Sequence, residues 1–189
     1  MSQLRRTIVE SSTEVDILKY PVAMIVLIAG LLLNSCASPV ADVSTLPPQT
    51  FSLGKDQVVW IDVNMGEVLV TGSPNDSIEV LGSLTTDEAL DYTVEQNSAG
   101  LHIFAQYPKR IFPPPAPHPI QLEIRIPAGY QVQFDTLDAN LIVRDFSGKL
   151  DVSSVTGDVL VEGLSGFAAL KANRGDVTLR TSQGELYAL

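Results

Sequence analysis

The chain is poor in the residues that carry catalysis. Its 189 residues include one cysteine and two histidines. One cysteine excludes an intrachain disulfide. His102 lies in an alternating run and His118 among prolines, and neither has the serine or cysteine partner that nucleophilic catalysis needs. A zinc site wants three or four ligands at recognisable spacing, and none is present. Basic residues are also scarce, 12 against 22 acidic ones, for a net charge of -10. Such a chain does not attract phosphate backbones, so nucleic acid is not an expected partner. No amphipathic helical pattern follows residue 50, and no Gly-rich phosphate loop joins a strand to a helix. The expectation is a non-enzymatic protein without a cofactor.

The sole cysteine stands in an informative place. Arg5, Arg6 and Lys19 precede an apolar run from Val22 to Leu33. That run is too short to span a bilayer comfortably but suits the apolar region of a signal peptide. It ends in Leu33-Asn34-Ser35-Cys36, which resembles the bacterial lipobox. The resemblance implies a lipoprotein signal peptide over 1–35 and lipid attachment at Cys36. Residues 36–54 then read as a flexible tether, small, polar and proline-containing. The expected location is the cell envelope, with the protein anchored in a membrane on its extracytoplasmic side.

From residue 55 onward, short alternating runs recur: "VVWIDV", "GEVLVT", "SIEVL", "LDYTVEQ", "LHIFAQ" and "IQLEIRI". Apolar residues at every second position, bounded by Gly, Pro, Asn, Asp or Ser, predict half-buried strands. "TTDEAL" has room for one helical turn. The proline-rich stretch 107–119 cannot join a ladder and reads as a stiff connection.

Past Pro127 a repeat emerges. Gly148, Gly157, Gly166, Gly175 and Gly184 are nine residues apart, and the apolar pattern returns every 18. Leu141, Val159 and Val177 share one column; Val143, Val161 and Leu179 share the next. Val132, Leu150, Ala168 and Leu186 form a third, and Phe134, Val152, Leu170 and Ala188 a fourth. Phe146 aligns with Leu164, and Leu137 with Val155. Arg144, Glu162 and Arg180 form an outward column of alternating charge, and Phe167 separates Lys149 from Glu185. A unit this short cannot bury its apolar face alone, but stacked units can. The pattern predicts an all-β single-stranded β-solenoid, or β-helix, of about 18-residue coils over 55–189. Less regular strands are expected on its N-terminal side. It runs to Leu189 without a polar cap, so a continued or covered last coil is expected.

Ile126-Pro127-Ala128-Gly129 and Thr156-Gly157-Asp158-Val159-Leu160-Val161-Glu162-Gly163-Leu164-Ser165-Gly166 are similar to the phrases of the bacterial putative-adhesin domain. Gly66-Glu67-Val68-Leu69-Val70-Thr71-Gly72 repeats the phrase upstream. The resemblance implies a β-helical fold of unknown function and an adhesin-like binding or scaffold module. Partners are then the membrane through the lipid and another envelope protein, a glycan or a second copy. Outward Ile142, Leu160, Ala169 and Tyr187 are the candidate contact residues. Two other readings accompany this one. Asp158 and Asp176, with Asn140 one coil before, are candidate Ca²⁺ ligands of a β-roll; the competing role is capping of local backbone N–H groups. A carbohydrate-active β-helix enzyme would need two carboxylates facing one cleft. Asp87, Glu88 and Asp91 are close in sequence but read as a solvated turn.

Overall fold

The computed structural model describes residues 43–84, 90–107 and 120–188. Cys36, the signal segment 1–35, His118, Asp87 and Glu88 lie outside the described residues. So do most of the "TTDEAL" stretch and nearly all of the proline-rich connection.

The described residues are all-β, without a helix. The strands are β1 Ser44–Phe51, β2 Val58–Ser73, β3 Ile78–Leu84, β4 Asp91–Gln96, β5 Gly100–Gln106 and β6 Ile120–Pro127. They continue as β7 Tyr130–Arg144, β8 Ser147–Thr156, β9 Val159–Glu162, β10 Ser165–Ala172, β11 Val177–Arg180 and β12 Gln183–Ala188. Every alternating run read from the sequence is a strand. β1 falls inside the expected tether: residues 44–51 pair antiparallel with β3.

β2 and β7 each have two legs. Their shared ladder skips at Asn64 and Leu137 and resumes at Met65 opposite Asp138. The legs sort the strands into two rows. The first row runs β4, β5, first leg of β2, first leg of β7, β8, β10, β12. The second runs β1, β3, β6, second leg of β2, second leg of β7, β9, β11. Alternate residues of both rows enter one apolar cluster, among them Val59, Ile61, Phe134, Leu141, Val161 and Leu170. Each aliphatic side chain so buried contributes about 1.5–3 kcal/mol relative to exposure.

From β7 to β12 the pairing is parallel and follows the 18-residue register. Leu141 lies opposite Val159 and Val159 opposite Val177; Leu150 lies opposite Ala168 and Ala168 opposite Leu186. A single-stranded β-solenoid is nevertheless not what the described residues show. The sheet is mixed and not closed, with antiparallel β1–β3, β3–β6 and β4–β5 pairs. β2, though earlier in the chain, also lies between β5/β6 and β7. The repeat sets the register of neighbours but does not carry the order of the first strands.

Glycine spacing has a steric cause. Gly157 sits at φ 119°, and a Cβ there would strike the Ala139 carbonyl oxygen of the preceding layer. Only a residue without a side chain lets the corner backbones stack this closely. Leu137 and Val155 share a column as expected, but the corner turns them outward, leaving them 55% and 43% exposed. Burial also fades along the stack. Val68 and Val70 are fully covered, whereas Val177 and Leu179 at β11 are 38% and 36% exposed.

Candidate functional site

Because buried residues alternate with outward ones, each row presents an outer face. On the second row the outer columns are set by register. Glu67 aligns with Asn140, Asp158 and Asp176; Leu69 with Ile142, Leu160 and Thr178; Thr71 with Arg144, Glu162 and Arg180. Ile142 and Leu160, expected from the sequence, are therefore neighbours, and Leu69 joins them. All three are half-buried. An open trough of about 330 Å³ runs over Ile142 and Leu160, lined also by Glu67, Asp158, Thr178 and Arg180. A second trough of about 310 Å³ continues past Glu67 and Leu69 to Leu81 and Glu123. Charge flanks the strip. Arg144 Nε lies 3.9 Å from Glu162, and Arg125 sits 3.3 Å from Glu79 and 2.8 Å from Glu123. Those carboxylates hold the Arg125 guanidinium above its ordinary pKa, Glu123 foremost.

The acidic column has a structural occupation. The Asp158 N–H donates to Asn140 Oδ1 at 2.8 Å, and the Asp176 N–H donates to Asp158 Oδ1 at 2.9 Å. Each side chain thus caps the corner of the next layer, the competing role to Ca²⁺ ligation. Among the described residues no three or more His, Cys, Asp or Glu are grouped to hold a metal ion.

Tyr187 does not join Ile142 and Leu160. It lies on the outer face of the first row, 60% exposed, with its ring 5.6 Å from that of Phe167. Lys149 Nζ stands 5.7 Å over the Phe167 ring, a cation–π geometry. Ala169 is its cross-strand neighbour. On the same face Glu95 aligns with His102, His102 with Trp60, Trp60 with Gln133, and Gln133 with Asp151; Asp151 then meets Ala169. The next column holds Thr93, Phe104, Asp62, Asp135 and Ser153. His102 and Phe104 meet edge to face at 6.1 Å. Gln106 Nε2 donates to Asp62 Oδ1 at 3.2 Å. Burial raises the Asp135 carboxyl above the ordinary range, and the nearby Asp62 and Asp151 charges raise it further.

Sequence reasoning missed the grouping of Trp60, Gln133, Asp62, Asp135 and Asp151. The alternation of "VVWIDV" already sets Trp60 and Asp62 on one face. What brings them to residues 102, 133 and 135 is a pairing of strands 42 and 73 residues apart, which follows no period in the chain.

The two outer faces and shared core define an all-β protein with open, shallow surfaces. No protein-family model and no curated protein matches the sequence. Solved structures resemble it. A putative cell adhesion protein from Clostridium sporogenes has 9% identity and a TM-score of 0.41, covering 75% of this chain and 98% of its own. A putative adhesin from Bacteroides fragilis has 11% identity and a TM-score of 0.35, covering 80% and 99%. One from Parabacteroides distasonis has 10% identity and a TM-score of 0.32, covering 79% and 98%.

Proposed function

We propose that the protein is a non-enzymatic, lipid-anchored component of the cell envelope, with its β-coils acting as an adhesin-like binding module. The lipobox-like Leu33-Asn34-Ser35-Cys36 supports the anchor and the extracytoplasmic location. The observation that carries the binding role is the Leu69–Ile142–Leu160 strip, three half-buried aliphatic side chains on adjacent strands of an outer face. The strip lies in an open trough flanked by Glu67, Asp158 and Asp176 on one side and by the alternating charges of Arg144, Glu162 and Arg180 on the other. An aliphatic centre with a charged rim is the anatomy of a protein-binding patch. The partner under this reading is another envelope protein.

A photo-crosslinking residue at position 160, in the protein's own cells, tests this. A discrete adduct is expected, lost on Ile142→Lys, with the thermal midpoint unchanged. No adduct, or one indifferent to Ile142→Lys, refutes the strip. Cys36→Ser is expected to release the protein from the membrane fraction; retention there refutes the anchor.

A further inference from the structure

We propose that the outer face of the first row binds a β-linked glycan bearing free amino groups, laid across the strands on Trp60. This surface differs from the Leu69–Ile142–Leu160 strip, so it stands or falls independently of the reading above. Its centre is a single column: His102, Trp60, Gln133, Asp151, Ala169 and Tyr187. Neighbouring strands are about 4.8 Å apart, close to the rise of one hexose in an extended β-linked chain. Trp60 and Tyr187 are four strand steps apart, roughly 19 Å at that spacing. A glycan crossing the strands therefore meets an aromatic platform at each end and keeps step with the protein between them.

The chemistry of the column favours sugars. Aromatic faces offer apolar area to the C–H face of a pyranose ring, and Trp60 is half-buried, hence held in place. Between the platforms, Gln133 and Asp151 present an amide and a carboxylate to hydroxyl and amino donors. Ala169, next to Tyr187, leaves the path low. Such a surface, a few placed polar groups beside aromatic area, orients a polar ligand.

Charge selects the type of glycan. Asp62 shares the strand of Trp60, Asp135 stands on the next strand and Asp151 and Glu95 two strands away. The columns that hold them carry no Lys or Arg before Lys171, and Lys149 on the flanking column stands over the Phe167 ring. Among the described residues, Gln106 donates a side-chain hydrogen bond to Asp62. This negative field repels anionic polymers and complements ammonium groups. Charge-assisted N–H···O bonds are the stronger kind, and an ammonium beside Trp60 adds cation–π attraction. A basic peptide shares the charge but not the flat, regularly spaced rings that the platforms fit.

Trp60 is the single tryptophan of the chain, so its fluorescence reports this surface directly. The full chain in detergent micelles is titrated with glucosamine hexamer, N-acetylglucosamine hexamer, cellohexaose and hexalysine. A saturable change with glucosamine hexamer is expected, with the acetylated and cello-hexamers at least ~10-fold weaker for want of charge-assisted bonds. The double variant Asp135→Asn, Asp151→Asn is expected to narrow that gap to about threefold or less. Tyr187→Ala is expected to weaken the hexamer but not glucosamine disaccharide, which is too short to reach it. Both variants leave the fluorophore in place, and a cooperative thermal transition no lower than that of the parent chain confirms their fold. The proposal is overturned if glucosamine hexamer gives no saturable change, or if cellohexaose binds equally well. Hexalysine binding more tightly than glucosamine hexamer also overturns it and marks a basic-peptide surface.

Discussion

The half of the stack from β7 to β12 and the half from β1 to β6 reach the same interior by different means. In the first, each layer copies the last. Leu141, Val159 and Val177 repeat at 18 residues, and glycine clears each corner. In the second, β5 and β6 lie on β2 at offsets of 42 and 54 residues. Gly66 clears their corner against the Ile120 carbonyl oxygen, and a side chain also clasps it. Asn64 Nδ2 donates to the Tyr107 carbonyl at 3.0 Å, and the Tyr107 N–H donates to Asn64 Oδ1 at 3.0 Å. Repetition and specific clasps are alternative ways to hold a parallel register, and they fail differently when broken.

The sharpest break is at a repeating corner. Gly157→Val combines a positive φ with a clash against the Ala139 carbonyl. It is expected to cost roughly 3–5 kcal/mol, read by chemical denaturation with two-state fitting. A loss below about 1 kcal/mol would mean that the corners do not stack as described. Asn64→Ala removes both bonds of the other half's clasp and should cost about 1–3 kcal/mol. Hydrogen exchange should then rise in β5 and β6 while β8 to β12 stay protected; uniform loss would contradict the division.

Legibility followed the same line. The strands from β2 onward, their inward faces and the register of β7 to β12 were readable, because burial imposes a period of two and stacking imposes a period of 18. The neighbours of β2 were not. His102, Trp60 and Gln133 share a column, yet no spacing in the chain links them, since loop length does not fix which strands meet. β1 was also missed. Pro47, Pro48 and the polar residues around them resemble a tether, but the ladder shifts register between Leu46 and Gln49, which lets the strand pair on either side of the prolines. Of the candidate residues, Ile142 and Leu160 came together because both lie in the periodic half. Tyr187, in the same half, fell on the other face because the corner between β11 and β12 intervenes.

Smaller effects refine the comparison. One corner column, Asp145, Gly163 and Thr181, has φ of 50°, 70° and 47°. A β-branched residue is strained there, so Thr181→Gly is expected to stabilise by about 1 kcal/mol. Destabilisation in thermal unfolding would contradict this. The smallest effect concerns the face where the halves meet. Asp135 has its folded pKa raised, first by desolvation and then by Asp62 and Asp151. The folded state therefore holds this proton more tightly than the unfolded chain does. That stabilisation is present at low pH and is lost as pH rises through the raised value. Asp135→Asn should raise the melting midpoint at neutral pH and lose that advantage below the ordinary carboxylate range. An advantage independent of pH would show that the charge is not the cause.

The outer face of the first row, and with it the column proposed to take a glycan, requires the first leg of β2 to lie between β5 and β7. Nuclear Overhauser contacts between backbone protons test this directly. Trp60 should show cross-strand contacts to the backbone around both His102 and Gln133, with none between residues 102 and 133 themselves. Direct contacts between residues 102 and 133, leaving Trp60 at an edge, would contradict the arrangement and dissolve the column.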